Sequence, residues 1–185
     1  MKQMFLIILL LLTKSIMAED YYAQISLGQQ DGKDGQQDAT EGGFVLGLKL
    51  NSNFSTEIKV THKQKDNKGF STRIGAAILG KVKLLDNLSA YMRVGAGNKK
   101  TNTNTFNFWV ITPGLKYKID DKWSIKGGVR FRDAFDTDQH RDYTKTFKVG
   151  IGYKFTENKS LSIGFKRKVG DSEYNAISVG YGISF

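Results

Sequence analysis

The stretch that decides the fold is Ile177-Ser178-Val179-Gly180-Tyr181-Gly182-Ile183-Ser184-Phe185, at the end of the sequence. Large apolar residues alternate in it with glycine and serine, so one side of the segment is apolar and the other is small and polar. The same alternation occurs in 161–166 and in 147–155, where lysine joins glycine on the polar side. Because a period of two is that of an extended strand and not of a helix, these segments are predicted to be β-strands.

About ten such strands are predicted, although counts of eight or twelve stay open. They cover 21–28, 43–50, 54–63, 70–84, 88–97, 105–119, 123–132, 144–155, 161–169 and 175–185. Short polar turns alternate with longer connectors, which lie at 29–42, 64–69, 98–104, 133–143 and 170–174. Each strand has, or falls slightly short of, the roughly 9–11 residues that a tilted strand needs to cross a bilayer. The sequence therefore predicts an all-β fold, an up-and-down antiparallel transmembrane β-barrel.

The N-terminus has the pattern of a secretory signal peptide. Lys2 provides a basic start, 4–12 form a short leucine-rich core, and small residues follow as a cleavage region. The apolar core is too short to span a bilayer comfortably. We expect 1–18 to be a cleaved signal peptide and 19–185 to be the barrel domain. Lys14 is unusual in the cleavage region, so an uncleaved N-terminal anchor is the alternative.

The predicted sixth strand contains two irregularities. Phe106 and Phe108 are out of phase with Trp109 and Ile111, which predicts a β-bulge near them. Pro113 has no backbone N–H and cannot donate to a strand ladder. These two features are the reason why the strand count stays open.

Three features place the apolar side of the strands toward lipid. The polar side is rich in glycine and serine as well as lysine, which suits a lumen better than a soluble exterior. The chain ends in an aromatic residue, Phe185, on the apolar side. Aromatic residues also gather near the strand ends, as they do at membrane interfaces. The alternative for the aromatic positions is the ordinary preference of aromatic residues for strands.

The final strand, 179–185, resembles the C-terminal signal of bacterial outer-membrane barrels, which closes on phenylalanine. The resemblance implies an outer-membrane location and recognition by the barrel assembly machinery. In size the chain is similar to small barrels of the opacity-protein type. Its lysine-rich strands resemble those of porins for acidic oligosaccharides, which usually have more strands. No family-specific functional motif matches residue by residue, so no site residue is carried over.

The polar side of the strands is strongly basic, in a chain whose formal net charge is +10. Assigning alternate residues to the lumen leaves one acid inside the strands, Glu57, with Lys59 as its expected partner or neighbour. The basic residues assigned to the lumen are Lys49, Lys59, Lys63, Arg73, Lys81, Lys83, Arg93, Lys116, Lys118, Lys126, Arg130, Arg132, Lys148, Lys154, Lys166 and Lys168. Because unpaired buried charges are costly, such a lumen should be hydrated, occupied by anions, or both.

Six of these cations lie from mid-strand toward the outer mouth and are candidate contacts for anionic solutes: Arg93, Arg130, Arg132, Lys148, Lys166 and Lys168. Rings of lysine and arginine are how anion pores select their ions. The sequence thus predicts a passive, anion-selective small porin. The alternative is a non-conducting structural or surface-adhesion barrel that acts through its outer loops, because side chains can fill a narrow barrel.

Other chemistries find little support in the sequence. The chain has no cysteine, and neither His62 nor His140 has a nucleophile beside it that would indicate an enzyme. An acidic cluster in 133–142 lacks the glycine-centred pattern of a calcium loop and is interpreted as a solvated loop. We therefore predict no catalytic residue, no metal and no cofactor.

The expected partners are outer-membrane lipid and lipopolysaccharide, the barrel assembly machinery and small anionic solutes. Nucleic acid is not expected, because the basic and aromatic residues lie on opposite faces. Arg167 falls on the lipid side near the outer rim. It is interpreted first as a snorkelling side chain and second as a contact to lipopolysaccharide phosphates.

Overall fold

The computed structural model describes residues 21–32, 38–66, 69–136, 142–170 and 173–185. Every strand pairs antiparallel with the next along the chain, and the first also pairs with the last, so the sheet closes into an up-and-down barrel. The strands are β1 (Tyr21–Gly32), β2 (Ala39–Lys49), β3 (Phe54–Lys65), β4 (Phe70–Lys83), β5 (Leu88–Thr101), β6 (Thr105–Lys118), β7 (Trp123–Ala134), β8 (Thr144–Lys154), β9 (Lys159–Gly170) and β10 (Tyr174–Ser184). The predicted fold and the count of ten are confirmed, while the signal peptide predicted at 1–18 lies outside the described residues.

The apolar side of the strands faces outward. The register places Ile151, Ile163 and Val179 on one side of the sheet, and each of these side chains is about half exposed. All the cations assigned to the lumen share the other side of the ladder, as predicted. An apolar exterior around a polar interior is the arrangement of a membrane-spanning barrel. In the described part of the chain, no helix is long and apolar enough to cross a membrane.

The strands extend further at the loop end of the barrel than the sequence predicts. The connector predicted at 29–42 shrinks to 33–38, because β1 and β2 continue their pairing up to Gln30 and Ala39. Glu41 consequently lies inside β2, on the inner side of the barrel. The expectation that Glu57 is the only strand acid in the lumen was therefore wrong.

The register of β6 is continuous, so the β-bulge predicted near Phe106 and Phe108 was wrong. The β5–β6 pairing runs without a shift, and the β6–β7 pairing has the same register before and after a gap at 112–113. The gap is at Pro113, which has no N–H to donate to β7. Phe108 is out of phase with the lipid-facing residues because it points into the lumen, where the Arg132 guanidinium lies 5.7 Å from its ring centroid.

The opposite end of the barrel carries short turns, at 50–53, 84–87, 119–122 and 155–158. Side-chain oxygens of the turn residues cap them: Asn51 Oδ1 accepts the N–H of Phe54 at 2.8 Å, and Asp120 Oδ1 accepts that of Lys122 at 2.8 Å. The Trp123 and Tyr153 rings pack at this level with centroids 4.6 Å apart. Short turns are periplasmic in outer-membrane barrels, so we call this the periplasmic end.

Candidate anion site in the barrel lumen

The lumen is packed at its outer end. We call the side chains that are almost completely buried there the outer layer: Gln30, Ala39, Arg132, Ala134, Thr144, Thr146, Lys168, Tyr174 and Ala176. Arg132 is 2 % exposed, and Thr144 and Thr146 have no exposed surface. Four of its residues, Gln30, Ala39, Ala134 and Tyr174, lie on strand ends that extend beyond the predicted strands. The side chains of the outer layer fill the lumen at its outer end, as side chains can in a narrow barrel.

Two connected spaces lie below the outer layer. The inner cavity, of about 70 Å³, is lined by the outer-layer residues Arg132 and Tyr174 together with Glu41, Arg73 and Arg130. The vestibule, of about 490 Å³, lies toward the periplasmic end and is lined by serine, glycine, tyrosine and lysine residues. Four cations line both spaces and so form their boundary: Lys59, Arg93, Lys148 and Lys166.

Three carboxylates neutralise part of the positive charge of the lumen. Glu41 binds Arg73 at 2.5 Å and Lys166 at 3.4 Å. Asp142, just before β8, reaches into the outer layer and binds Lys99 at 2.7 Å and Arg132 at 2.6 Å.

The third carboxylate, Glu57, lies in the vestibule. It binds Arg93 at 2.9 Å and accepts a hydrogen bond from the Tyr22 hydroxyl at 2.7 Å. Glu57 therefore pairs with Arg93, and of the two expectations for Lys59, partner or neighbour of Glu57, the structure shows the second, because Lys59 lies two residues along the same strand. Arg93 approaches this carboxylate through its Nε, on the oxygen that Tyr22 does not bind.

Three cations at the inner cavity remain without a counter-charge. Within the described ranges, no carboxylate lies at ion-pair distance from Lys59, Arg130 or Lys148. The Arg130 Nη2 donates to Thr146 Oγ1 at 3.3 Å, while its buried Nε has no partner among the described residues. Lys148 stands directly opposite Lys166 in the β8–β9 ladder. Like charges in this position repel each other, and a small anion or a water molecule between them would lower this repulsion.

The structure brings together five of the six candidate residues from the sequence. Arg93, Arg130, Arg132, Lys148 and Lys166 all line the inner cavity. The sixth, Lys168, lies in the outer layer, with its ammonium 5.4 Å from the centroid of the Tyr174 ring.

Sequence analysis missed three contributors to this site. Arg73 and Lys59 were assigned to the lumen but not to the candidate set, and both line the inner cavity. Glu41 lies in a glycine-rich segment that was interpreted as a loop. The alternation of Glu41, Gly43 and Val45 against Phe44 and Leu46 is the signal that extends β2 and turns Glu41 inward.

The arrangement is that of a lipid-facing barrel with a polar, charged interior. The family model for the outer-membrane protein β-barrel domain matches residues 5–155. The chain belongs to this family of outer-membrane β-barrel proteins. Its outer-membrane location, expected from the C-terminal strand, is thereby confirmed. No curated protein matches the barrel by sequence.

Solved structures with the same fold include outer-membrane porins, an outer-membrane channel and a surface protein. This barrel is similar to the KdgM porin in complex with disordered oligogalacturonate, with a TM-score of 0.54, 15% identity, and coverage of 89% of this chain and 99% of that one. It is also similar to an outer-membrane channel from Pseudomonas putida F1, with a TM-score of 0.59, 10% identity, and coverage of 90% and 96%. For the NanC porin the TM-score is 0.52, the identity 10%, and the coverage 88% and 100%. At these identities the likeness concerns the fold.

Metal chemistry has no ligand set in the described part of the barrel. No group of three or more histidine, cysteine, aspartate or glutamate side chains there could hold a metal ion. Of the acidic cluster considered in the sequence, Asp138 and His140 lie outside the described residues. Asp142 is bound to Lys99 and Arg132, so it serves the outer layer of this outer-membrane barrel.

Proposed function

We propose that the protein is a small, passive, anion-selective pore whose selectivity is set at the inner cavity. The observation that carries the proposal is a set of three cations around that cavity, Lys59, Arg130 and Lys148, which form no ion pair with a described carboxylate. An anion there gains attraction from each of them, whereas a cation is repelled. Lysine and arginine side chains in a constriction are the usual means of anion selection.

The dimensions favour small solutes. Liquid water occupies about 30 Å³ per molecule, so a cavity of about 70 Å³ holds on the order of two waters or one small anion. The wider vestibule collects anions from the periplasmic side, because its mouth carries further lysines, among them Lys116, Lys126 and Lys154. A solute passing between the inner cavity and the outside must displace side chains of the outer layer. Slow passage of small anions is the consequence.

The outer layer also favours a second function, that of a non-conducting barrel acting through its outer surface. Arg132 is held by Asp142 at 2.6 Å and is almost completely buried. A layer that stays closed would leave the cationic cavity as a structural anion site. Recording from planar bilayers separates the two functions, because only the pore gives current.

The experiment is a reversal-potential measurement on the mature protein in a potassium chloride gradient. We expect single channels of low conductance that prefer chloride. A side-chain charge about 7 Å from a chloride ion attracts it by roughly 0.6 kcal/mol in a water-like dielectric. This energy corresponds to about a threefold change in the permeability ratio of chloride to potassium. The double variant Arg130→Gln with Lys148→Gln should therefore lose about tenfold in chloride preference.

The matched control is Lys83→Gln, which removes a lysine that is 65% exposed at the periplasmic rim and pairs with Asp86. Its selectivity should remain that of the parent protein. Cation preference of the parent protein, or an equal loss in the control, would overturn the pore proposal. Absence of channels from protein that is shown to be folded would favour the non-conducting barrel.

A further inference from the structure

Two cations stand on the lipid-facing side of the barrel near its outer rim. Lys145 of β8 has its ammonium 4.9 Å from the centroid of the Phe147 ring and 5.8 Å from that of Phe131. Arg167 of β9 is exposed and lies directly opposite Phe147 in the ladder. We call Phe131, Lys145, Phe147 and Arg167 the rim patch. It is separate from the lumen, since the register places all four on the outer face.

Neither cation of the rim patch has an acidic partner in the described part of the barrel. No carboxylate there lies at ion-pair distance from Lys145 or Arg167. Two acidic residues lie nearby without forming an ion pair with either cation: Asp133, whose Oδ1 accepts the backbone N–H of Ala134 at 2.8 Å, and Glu173, which directly precedes β10 beside the strand of Arg167. Asp31 of β1 is separated from Arg167 by β10, where Asn175 stands between them in the ladder.

The surface below the rim patch belongs to the hydrocarbon region. Val149 and Phe165 follow directly toward the periplasmic end, and Ile151 and Ile163 come next; all four are exposed. A lysine or arginine on the lipid face costs several kcal/mol at the midplane and little at the interface. The rim patch is thus placed where acyl chains end and anionic head groups begin.

We propose that the rim patch binds a phosphate of an outer-leaflet glycolipid of the lipid A class. Lys145 and Arg167 are diagonal neighbours on adjacent strands, a spacing of about 7–8 Å that lets two long side chains reach one group. The guanidinium of an arginine binds a phosphate through two parallel hydrogen bonds, and the ammonium of a lysine adds a compact positive charge. The two phenylalanine rings hold the ammonium in place, and the acyl chains lie on the apolar surface formed by Val149 and Phe165.

The opposite wall of the barrel offers a matched control. Lys100 of β5 is also exposed and outward-facing near the outer rim, but its cross-strand neighbours are Thr72 and Thr105. It carries one positive charge on the outer face, with no second lysine or arginine as a cross-strand or diagonal neighbour in the described ladder. Lys100→Gln therefore measures what a single rim charge contributes.

The test is a titration of the mature protein in detergent with diphosphorylated lipid A, followed by native mass spectrometry. One charge-assisted contact contributes about tenfold in affinity. Lys145→Gln and Arg167→Gln should each weaken binding about tenfold, and the double variant about a hundredfold. Heat-modifiable gel mobility verifies that each variant is folded.

Two comparisons identify the ligand. Dephosphorylated lipid A should bind as weakly to the parent protein as lipid A does to the double variant. Inorganic phosphate should not compete at millimolar concentration, because the acyl chains contribute to binding. Unchanged affinity in the double variant, an equal loss in Lys100→Gln, or full binding of the dephosphorylated lipid would each overturn the proposal. Bilayer selectivity is independent of these results, since the rim patch lies outside the lumen.

Discussion

Removal of the carboxylate at the inner cavity tests the electrostatic balance of the lumen most sharply. In Glu41→Gln the side chain keeps its size, but Arg73 and Lys166 lose the charge that binds them at 2.5 Å and 3.4 Å. Opposite charges about 4 Å apart attract by roughly 4 kcal/mol at an effective dielectric of 20. Part of this attraction is offset by desolvation, and breaking a buried pair typically costs about 3–5 kcal/mol. The Glu41 side chain is 13% exposed, so a loss of about 3 kcal/mol is expected.

The loss in the free energy of unfolding of Glu41→Gln should depend on which anion the buffer contains. An additional positive charge at the inner cavity strengthens the binding of a small anion there. An anion at one hundred times its dissociation constant returns about 2.7 kcal/mol. Chloride fits a cavity of about 70 Å³, whereas gluconate does not. Glu41→Gln should therefore be nearly as stable as the parent protein in potassium chloride and clearly less stable in potassium gluconate of the same ionic strength.

The assay is urea unfolding of the barrel in lipid vesicles, followed by tryptophan fluorescence. Asp86→Asn is the control, because Asp86 forms a fully exposed pair with Lys83 and its loss should leave the stability of the barrel unchanged in either salt. A loss below about 1 kcal/mol in gluconate would mean that Glu41 is not needed to balance the cavity. Equal losses in chloride and gluconate would refute anion binding at this place.

Two further predictions concern the barrel wall. Pro113→Val supplies the N–H that is missing from the β6–β7 ladder. It should raise the free energy of unfolding by about 0.5–1.5 kcal/mol in the same assay. An unchanged free energy of unfolding would mean that the missing N–H is not the cause of the gap in the pairing. Gly47→Ala places a methyl group against the Tyr22 ring and should cost about 1–3 kcal/mol, while Gly127→Ala, whose nearest neighbour atom is 3.8 Å away, should cost less than about 1 kcal/mol. Equal effects of the two alanines would show that the Tyr22 ring does not occupy this space.

Much of the fold follows from alternation alone. The strict period of two in β8, β9 and β10 fixes both the strands and their faces, because a shift by one residue would exchange every side chain between lipid and lumen. Prediction fails where the local signal is weak. Glycine-rich 39–43 has no large apolar residue to mark a strand, yet pairing with β1 and β3 extends β2 through it.

The site was predictable in composition but not in pairing. Alternation assigns Arg93, Arg130 and Lys148 to the lumen, and the structure gathers them at the inner cavity. Which carboxylate meets which cation depends on the height of each residue in the closed barrel, and therefore on register. Contacts such as Asp142 with Lys99 join strands that are distant around the sheet, and no local pattern in the sequence encodes them.

Anomalous diffraction from crystals of the mature protein grown in sodium bromide tests the central claim most directly. If the inner cavity selects anions as proposed, a bromide peak should appear between Lys59, Arg130 and Lys148. Substitution of Lys148 by glutamine should weaken that peak. A cavity that holds only water at about 1 M bromide would contradict the account.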